Sequence, residues 1–229
     1  MTAPSCPILS FGDIIDLMEV DGDILRTSKL HKRLMNKAVH YLGRYQASRQ
    51  RLRRVLQQFA KRKLQSDESN EPQKGASYQG DDIARAIEDI IHLCMHYGYV
   101  DDTALAQAKA RQSVITGQSA YQLSGKLRQL GIDEATTKGA VHSREGHHQN
   151  AELAAGIRAM RKKRLGAFHP DYQALAREDK QKQFAKLARL GFSMDLIRQI
   201  FQIETREDAE EMLYEAEAKP DFETSPKLW

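Results

Sequence analysis

Two histidines stand at a spacing that metal sites use. His92 and His96 are four residues apart, which would place both imidazoles on one face of a helix, as in zinc proteases. The residue after His92 is Leu93, however, whereas that chemistry needs a glutamate there as its base. No third ligand accompanies the pair, and Cys6 and Cys94 are far apart and lack metal-ligand spacing. We therefore predict no metal site and no cofactor.

Asp101 and Asp102 are the other candidates for chemistry, because paired carboxylates can act as acid and base. They are adjacent, and they stand where a helix is predicted to begin. Carboxylates at such a position accept the free backbone N–H groups and suit the positive end of the helix dipole. The position therefore favours helix capping over catalysis. Since no nucleophile–base pair is evident elsewhere, we predict that the chain is not an enzyme.

The strongest signal is the way in which charge is sorted along the chain. The net charge is only +4, yet residues 28–64 hold twelve Lys or Arg and no Asp or Glu, and both ends of the chain are acidic. This distribution predicts a polyanionic partner or a partner with an acidic groove. The predicted contact residues in this basic block are Arg44, Arg49, Arg51, Arg53, Arg54, Lys61, Arg62 and Lys63. A second basic cluster consists of Arg158, Arg161, Lys162, Lys163 and Arg164.

A solvated helix surface is the alternative interpretation of both basic segments. Ordinary surfaces mix the two signs of charge, so the absence of acids from residues 28–64 favours binding there. The cluster at 158–164 is shorter and fits either interpretation. On the helix after Ser48, the apolar stripe includes Leu52 and Leu56, so Arg51, Arg54 and Arg62 should face away from it.

The elements that position these residues are predicted to be helices. Apolar residues recur at helical spacing through most of the chain, and no alternating β pattern of useful length occurs. We predict that residues 1–26 form an acidic, mostly disordered arm and that residues 65–80 form a polar linker. A helix is expected from about Tyr172 to Leu190, and a last helix from roughly 205 to 217.

An internal repeat organises the helices. The segment 126–132, KLRQLGI, recurs sixty residues later at 186–192 as KLARLGF, and each copy precedes a helix-start residue and a short helix. We therefore predict an all-α protein of three three-helix repeats that form an elongated, curved stack. The predicted divisions are residues 27–98 (with the linker), 99–148 and 149–203, followed by a C-terminal helix and acidic tail at 204–229.

Residues at the helix ends complete the pattern. Ser119 and Gln122 have the spacing of a capping box. The glycines lack a phosphate-binding pattern and are predicted to end helices. The predicted structural positions are Gly98, Tyr99, Asp101, Asp102, Gly117, Ser119, Gly131 and Gly191.

These motifs, in this order, resemble the RecX family of bacterial regulators of the RecA recombinase. Residues 98–102, GYVDD, resemble the family's Gly-Tyr-Leu-Asp-Asp, and Leu105-Ala106 its Phe-Ala. Residues 117–123 and 130–132 resemble its Gly-x-Ser motif and its Lys-Gly-Ile. The resemblance covers roughly residues 28–64 and 81–202. The chain departs from the pattern at Arg51 and Gln122, where the family commonly has Glu before Leu.

The resemblance implies a non-enzymatic role at the filament that RecA forms on single-stranded DNA. It implies binding along the filament groove, which would limit filament growth, ATP hydrolysis, strand exchange and the coprotease activity that triggers the SOS response. Contact with single- or double-stranded DNA through its backbone is left open. We expect the protein in the cytoplasm, because the chain lacks a secretory signal, a run of about 18 apolar residues and a disulfide framework. We also expect a monomer, because a repeat stack that is capped at both ends can stand alone.

A helix-turn-helix protein that acts directly on DNA is the alternative, because Leu123 to Val141 has about the required length. Its recognition helix would open with Asp133 and Glu134, which would face phosphates. It also lacks Arg, Asn or Gln near its start to read base edges. These features favour the filament regulator.

Overall fold

The computed structural model describes residues 29–64, 80–144 and 150–217, with side chains omitted at 63 and 64. These residues form ten α-helices and no strand, which confirms the predicted all-α fold. The helices are α1 (Lys29–Leu42), α2 (Arg49–Phe59), α3 (Gly80–His96), α4 (Asp102–Ile115), α5 (Ala120–Gln129), α6 (Glu134–Ser143), α7 (Ala151–Lys163), α8 (Arg177–Arg189), α9 (Met194–Phe201) and α10 (Arg206–Glu217). A π-helical turn, Ala60–Leu64, continues α2, and a short 3-10 turn, Gly166–Phe168, follows α7.

The chain divides into two compact units. The first comprises Met1–Arg44 and Arg53–Leu93, and the second Tyr45–Leu52 and Cys94–Trp229. In the first unit, Leu34 of α1 and Leu56 of α2 are fully buried, and Ile87 and Ile90 of α3 are nearly so. Buried residues recur at helical spacing, as Leu30 and Leu34 do in α1 and Ile87 and Ile91 in α3, so these helices turn an apolar stripe inward.

In the second unit, α7 lies against α4, α8, α9 and α10. Its sequence AELAAGIRAM provides small side chains that let neighbouring helices approach closely, and eight of its residues are buried. A Cβ atom built at Gly156 would lie 3.4 Å from side-chain carbons of both Leu196 and Ile200 in α9. A second buried cluster joins α4, α5 and α6, with Ala106, Leu127 and Ala140 among its members.

Most predicted helix ends agree with the structure, but α8 begins at Arg177 rather than near Tyr172. Residues 171–176 form hydrogen-bonded turns instead, for example from the N–H of Leu175 to the carbonyl of Tyr172. The Tyr172 ring lies 5.9 Å from the ring of Phe201, so core packing rather than helical geometry holds this segment. Glu178 and Asp179 then stand in the first turn of α8, where the helix dipole favours acids.

Several predictions concern residues outside the described part of the chain. They are the arm at 1–26, the linker apart from Gly80, and the tail beyond 217. Gly80 itself is the first residue of α3. Among the helices that the structure describes, none has the length and apolarity needed to cross a membrane.

Candidate functional site

The basic residues of α2 lie opposite its buried stripe, as the periodicity predicts. Arg51, Arg54 and Arg62 are exposed, whereas Leu52 and Leu56 are fully buried. Arg62 stands in the π-helical turn that continues α2. Three further predicted contact residues, Arg44, Arg49 and Lys61, are also exposed, and the Lys63 side chain lies outside the described residues. The segment therefore presents a row of cations to solvent.

Arg53, in the same basic block, forms an ion pair within the fold. Its Nε and Nη2 atoms each lie 2.6 Å from a different carboxylate oxygen of Glu88 in α3. The hydrogen bond with Glu88 raises the pKa of the guanidinium above its ordinary value. This fork-shaped pair joins α2 to α3 within the first unit and neutralises the charge of Arg53. Its geometry gives Arg53 a role in packing, in contrast with the surface role predicted for the whole block.

Two of the five basic residues near the end of α7 also have acidic partners within the fold. Arg158 pairs with Glu217, and its Nη1 donates to the carbonyl of Ile115 at 3.0 Å. Arg161 pairs with Glu210 at 3.0 Å. Both acids belong to α10, so part of the acidic C-terminal segment neutralises part of this cluster. The rest of the cluster, Lys162, Lys163 and Arg164, is exposed.

A basic cleft lies beside Lys162 and Lys163, and sequence reasoning missed it. The cleft has a volume of about 570 Å³ and is lined by Lys126 and Arg128 of α5 as well as by the two lysines of α7. None of its lining residues is acidic. Tyr121 lines the same cleft, and 69% of its side chain is exposed. The two pairs of cations come from segments more than thirty residues apart, so only the helix packing brings them together.

A joint of the same construction occurs twice in the second unit. At the first joint, Ser48 donates its hydroxyl to the carbonyl of Leu130, and the N–H of Arg49 donates to Asp102 at 2.8 Å. At the second, Ser119 donates to the carbonyl of Leu190, and the N–H of Ala120 donates to Glu152 at 3.0 Å. In both, a helix start meets the end of a later helix.

A glycine follows the acceptor leucine at each joint. Gly131 and Gly191 have φ values of 78° and 83°, in the left-handed region that side chains disfavour. A Cβ atom at Gly131 would lie 2.4 Å from Gln50 Cβ, and one at Gly191 would lie 2.7 Å from Tyr121 Cβ. Both glycines thus satisfy a conformational and a steric demand. Gly98 and Gly117, the other predicted helix terminators, also have positive φ.

The two adjacent carboxylates are used at helix starts. Asp101 caps α4 by accepting the N–H of Ala104 at 2.9 Å, while Asp102 accepts the N–H of Arg49. Each carboxylate therefore serves a backbone donor, as the capping interpretation predicts. The neighbouring Tyr99 is 41% exposed, and its N–H donates to the carbonyl of Cys94.

The histidine pair shows no metal-binding arrangement. His92 and His96 are both exposed, and the His96 ring contacts Tyr97 edge to face at 5.1 Å. In the described part of the chain, no cluster of three or more His, Cys, Asp or Glu could hold a metal ion. Cys94 is buried, and this burial raises the pKa of its thiol to about 11, which leaves the thiol protonated and unreactive near neutral pH.

The start of α6 carries the negative charge that the sequence predicts, which disfavours a helix-turn-helix function for the pair α5 and α6. Asp133 caps α6, and hydrogen bonds from Thr136 hold its pKa below the ordinary value. Glu134 follows in the first turn and pairs with Lys138 at 2.7 Å. The start of α6 is therefore anionic, and it would repel the phosphates that flank a major groove.

Comparisons with known proteins reveal relatives that share a name. The chain is 31% identical over 167 residues to the regulatory protein RecX of Myxococcus xanthus, a match that covers 73% of this chain and 83% of that protein. It is 25% identical over 210 residues to the regulatory protein RecX of Agrobacterium fabrum, covering 87% and 99%. The crystal structure of RecX from Lactobacillus salivarius has the same fold, with a TM-score of 0.55, 19% identity, and coverage of 76% and 96%. No family model matches the chain.

Proposed function

Because this chain belongs to the RecX family of regulatory proteins, we propose that it binds the filament that RecA forms on single-stranded DNA and inhibits it. The inhibition covers filament growth, ATP hydrolysis, strand exchange and coprotease activity, so the protein modulates DNA repair and the SOS response. It acts as a monomer in the cytoplasm and without a cofactor.

The exposed cations of α2 carry this proposal. Arg51, Arg54 and Arg62 are exposed on a segment that contains no acid between residues 28 and 64, while Leu52 and Leu56 hold its other face in place. A filament built on DNA is a long polyanion, and a row of cations meets such a partner with favourable electrostatics. Arg53 is left out of this surface, since Glu88 engages it.

The repeated joint supports a modular organisation for the same task. We propose that residues 27–98, 99–148 and 149–203 are successive repeats and that the joints at Ser48 and Ser119 connect one repeat to the next. The pattern of buried and exposed residues is the same over 133–140 as over 193–200, which fits two copies of one helix. Repeats joined in this way offer several contact surfaces to a partner that is itself periodic.

The deciding experiment is the single-stranded-DNA-dependent ATPase of RecA, measured with and without this protein. We expect ATP hydrolysis to fall as the protein is titrated from substoichiometric to excess amounts. An ATPase rate that stays constant over the whole range would refute the proposal. A mutant in which Arg54 and Arg62 are changed to Glu should inhibit less than one in which Lys138 and Lys182, two exposed lysines of α6 and α8, receive the same change.

A further inference from the structure

The basic cleft between α5 and α7 has two properties that call for a ligand. Lys126, Arg128, Lys162 and Lys163 line it and no acidic residue does, so the cleft has a positive potential, which the neighbouring Glu134 offsets in part at Arg128. Tyr121 stands in the same cleft and is 69% exposed, so its ring is accessible to a flat partner.

We propose that this cleft binds single-stranded nucleic acid, with the four cations on successive phosphates and an unpaired base stacked on Tyr121. The inference deepens the proposed function and rests on it, since a regulator of a single-stranded-DNA filament meets this polymer. Sequence-independent binding of single strands combines a cationic groove with an aromatic side chain on which bases stack. The cleft provides both.

The contacts around Tyr121 preorganise its ring for stacking. The root of the side chain packs on Gly191, where an added Cβ atom would lie 2.6 Å from Tyr121 Cδ1. The ring is thus held at one end and open to solvent at the other. Such an arrangement lowers the entropy cost of stacking, because little side-chain freedom remains to be removed.

Close backbone packing brings the two pairs of cations to one side. Gly117, in the loop before α5, lies so close to α7 that a Cβ there would be 2.7 Å from the backbone N of Ala159. In the same loop, Gln118 accepts a hydrogen bond from Lys126 Nζ at 2.7 Å. The loop therefore holds the start of α5 beside α7 and orients one of the cations.

An unpaired base fits the cleft better than the two other polyanions to be considered. A DNA duplex keeps its bases stacked on one another, so it could meet the cations but not the Tyr121 face. An acidic polypeptide could pair with the lysines, but its carboxylate side chains carry no flat ring to cover the exposed tyrosine. The combination of charge with an open aromatic face is what selects the single strand.

The test measures binding of the full chain to a fluorescein-labelled oligothymidylate by anisotropy at several salt concentrations. The double change Lys162→Ala and Lys163→Ala should weaken binding and flatten the salt slope by about 0.7 for each phosphate that is no longer bound. The matched control is Lys182→Ala with Arg198→Ala, which removes the same charge from exposed cations of α8 and α9. Its affinity should fall much less.

A second pair of variants tests stacking separately from charge. Tyr121→Leu should weaken oligothymidylate binding roughly 5- to 100-fold, whereas Tyr121→Phe, which keeps the ring, should bind like the unchanged protein. Thermal unfolding followed by circular dichroism checks that each variant is folded. Equal affinity of all variants for oligothymidylate would overturn the proposal. So would a cleft that binds polyglutamate in a lysine-dependent manner but binds no oligothymidylate.

The RecA ATPase assay on the same preparations separates this inference from the proposed function. Inhibition of RecA by a protein that does not bind oligothymidylate would overturn the cleft proposal alone. Cleft-dependent oligothymidylate binding by a protein that leaves RecA unaffected would overturn the proposed function and support the cleft.

Discussion

The hydroxyl of Ser119 donates a hydrogen bond to the carbonyl oxygen of Leu190 while it accepts one from the N–H of Gln122. One oxygen atom thus caps the start of α5 and holds the end of α8. Ser48 has the same two partners in kind, the carbonyl of Leu130 and the N–H of Arg51. Helix initiation and tertiary packing are therefore coupled at both positions.

Ser119→Ala should lower the free energy of unfolding by about 2 kcal/mol, since it removes a cap worth about 1 kcal/mol and leaves a carbonyl without its donor. Ser193→Ala is the matched control, because exposed Ser193 caps α9 through the N–H of Leu196. It should cost about 1 kcal/mol. Urea denaturation measures both values, and equal decreases would show that the bond to Leu190 contributes nothing.

Gly191→Ala should destabilise the second unit by more than about 2 kcal/mol, because it adds a left-handed alanine and a contact with Tyr121 that is too short. Gly139→Ala is its control. Gly139 lies inside α6 with open space where its Cβ would be, so alanine there should stabilise the helix by roughly 0.5–1 kcal/mol. The midpoints of thermal unfolding should therefore move in opposite directions, and parallel shifts would contradict this account of the joint.

Arg144→Met should cost about 2 kcal/mol of stability, because it removes the buried donor to the Glu152 carboxylate and to the Gln118 carbonyl. The Arg144 side chain is 2% exposed; it pairs with Glu152 at 3.0 Å and donates to the carbonyl of Gln118. Arg144→Lys should recover only part of this stability, since lysine lacks the fork of donors. Lys138→Ala, in the exposed pair with Glu134, should change the unfolding free energy by under about 1 kcal/mol. A cost for Arg144→Met no larger than this control would contradict the structural role of the pair.

The cap at Asp133 should make stability depend on pH under acidic conditions. Hydrogen bonds from Thr136 lower the pKa of this carboxyl in the folded protein below its ordinary 3.8. A lowered folded pKa means that the contribution is present above the unfolded value and disappears as pH falls through the folded value. Asp133→Asn keeps a capping oxygen but does not titrate, so its urea midpoint should fall less between about pH 5 and pH 2. Identical acid profiles would exclude Asp133 as a source of the pH dependence.

Reversal of charge at Arg54 and Arg62 should weaken binding to RecA filaments and reduce its salt dependence. Arg53→Glu should act differently, because it places two acids together at Glu88 and lowers stability rather than binding alone. Sedimentation with filaments, alongside circular dichroism, separates the two effects. If the variant with both Arg54 and Arg62 reversed binds filaments as tightly as the unchanged protein, the contact lies on another face.

Helix boundaries were largely predictable, because caps and glycines act locally. Asp101, Ser119, Asp133 and Ser193 each cap the helix that the sequence pattern predicts at that position. The beginning of α8 was not predictable, because packing of the Tyr172 ring on Phe201 competes with helix formation over residues 171–176.

Local sequence patterns do not predict which cations of the candidate surfaces form ion pairs. Arg53 and Arg54 are adjacent and identical in type, yet it is Arg53 that the fold places against Glu88, 35 residues away in the chain. The basic cleft likewise depends on the loop before α5, which packs on α7 at Gly117 and which no spacing within either helix reveals. Sequence reasoning found the charge but could not divide it into structural pairs and open surface.

The joints also bear on how this fold tolerates divergence. The acceptors at Leu130 and Leu190 are backbone carbonyls, so any residue in the same conformation can provide them. The joint therefore depends on the serine hydroxyl and on the glycine that follows the acceptor, and it sets no requirement on the acceptor's own side chain. Two small residues at each joint thus suffice to fix a helix start against a helix end in this fold.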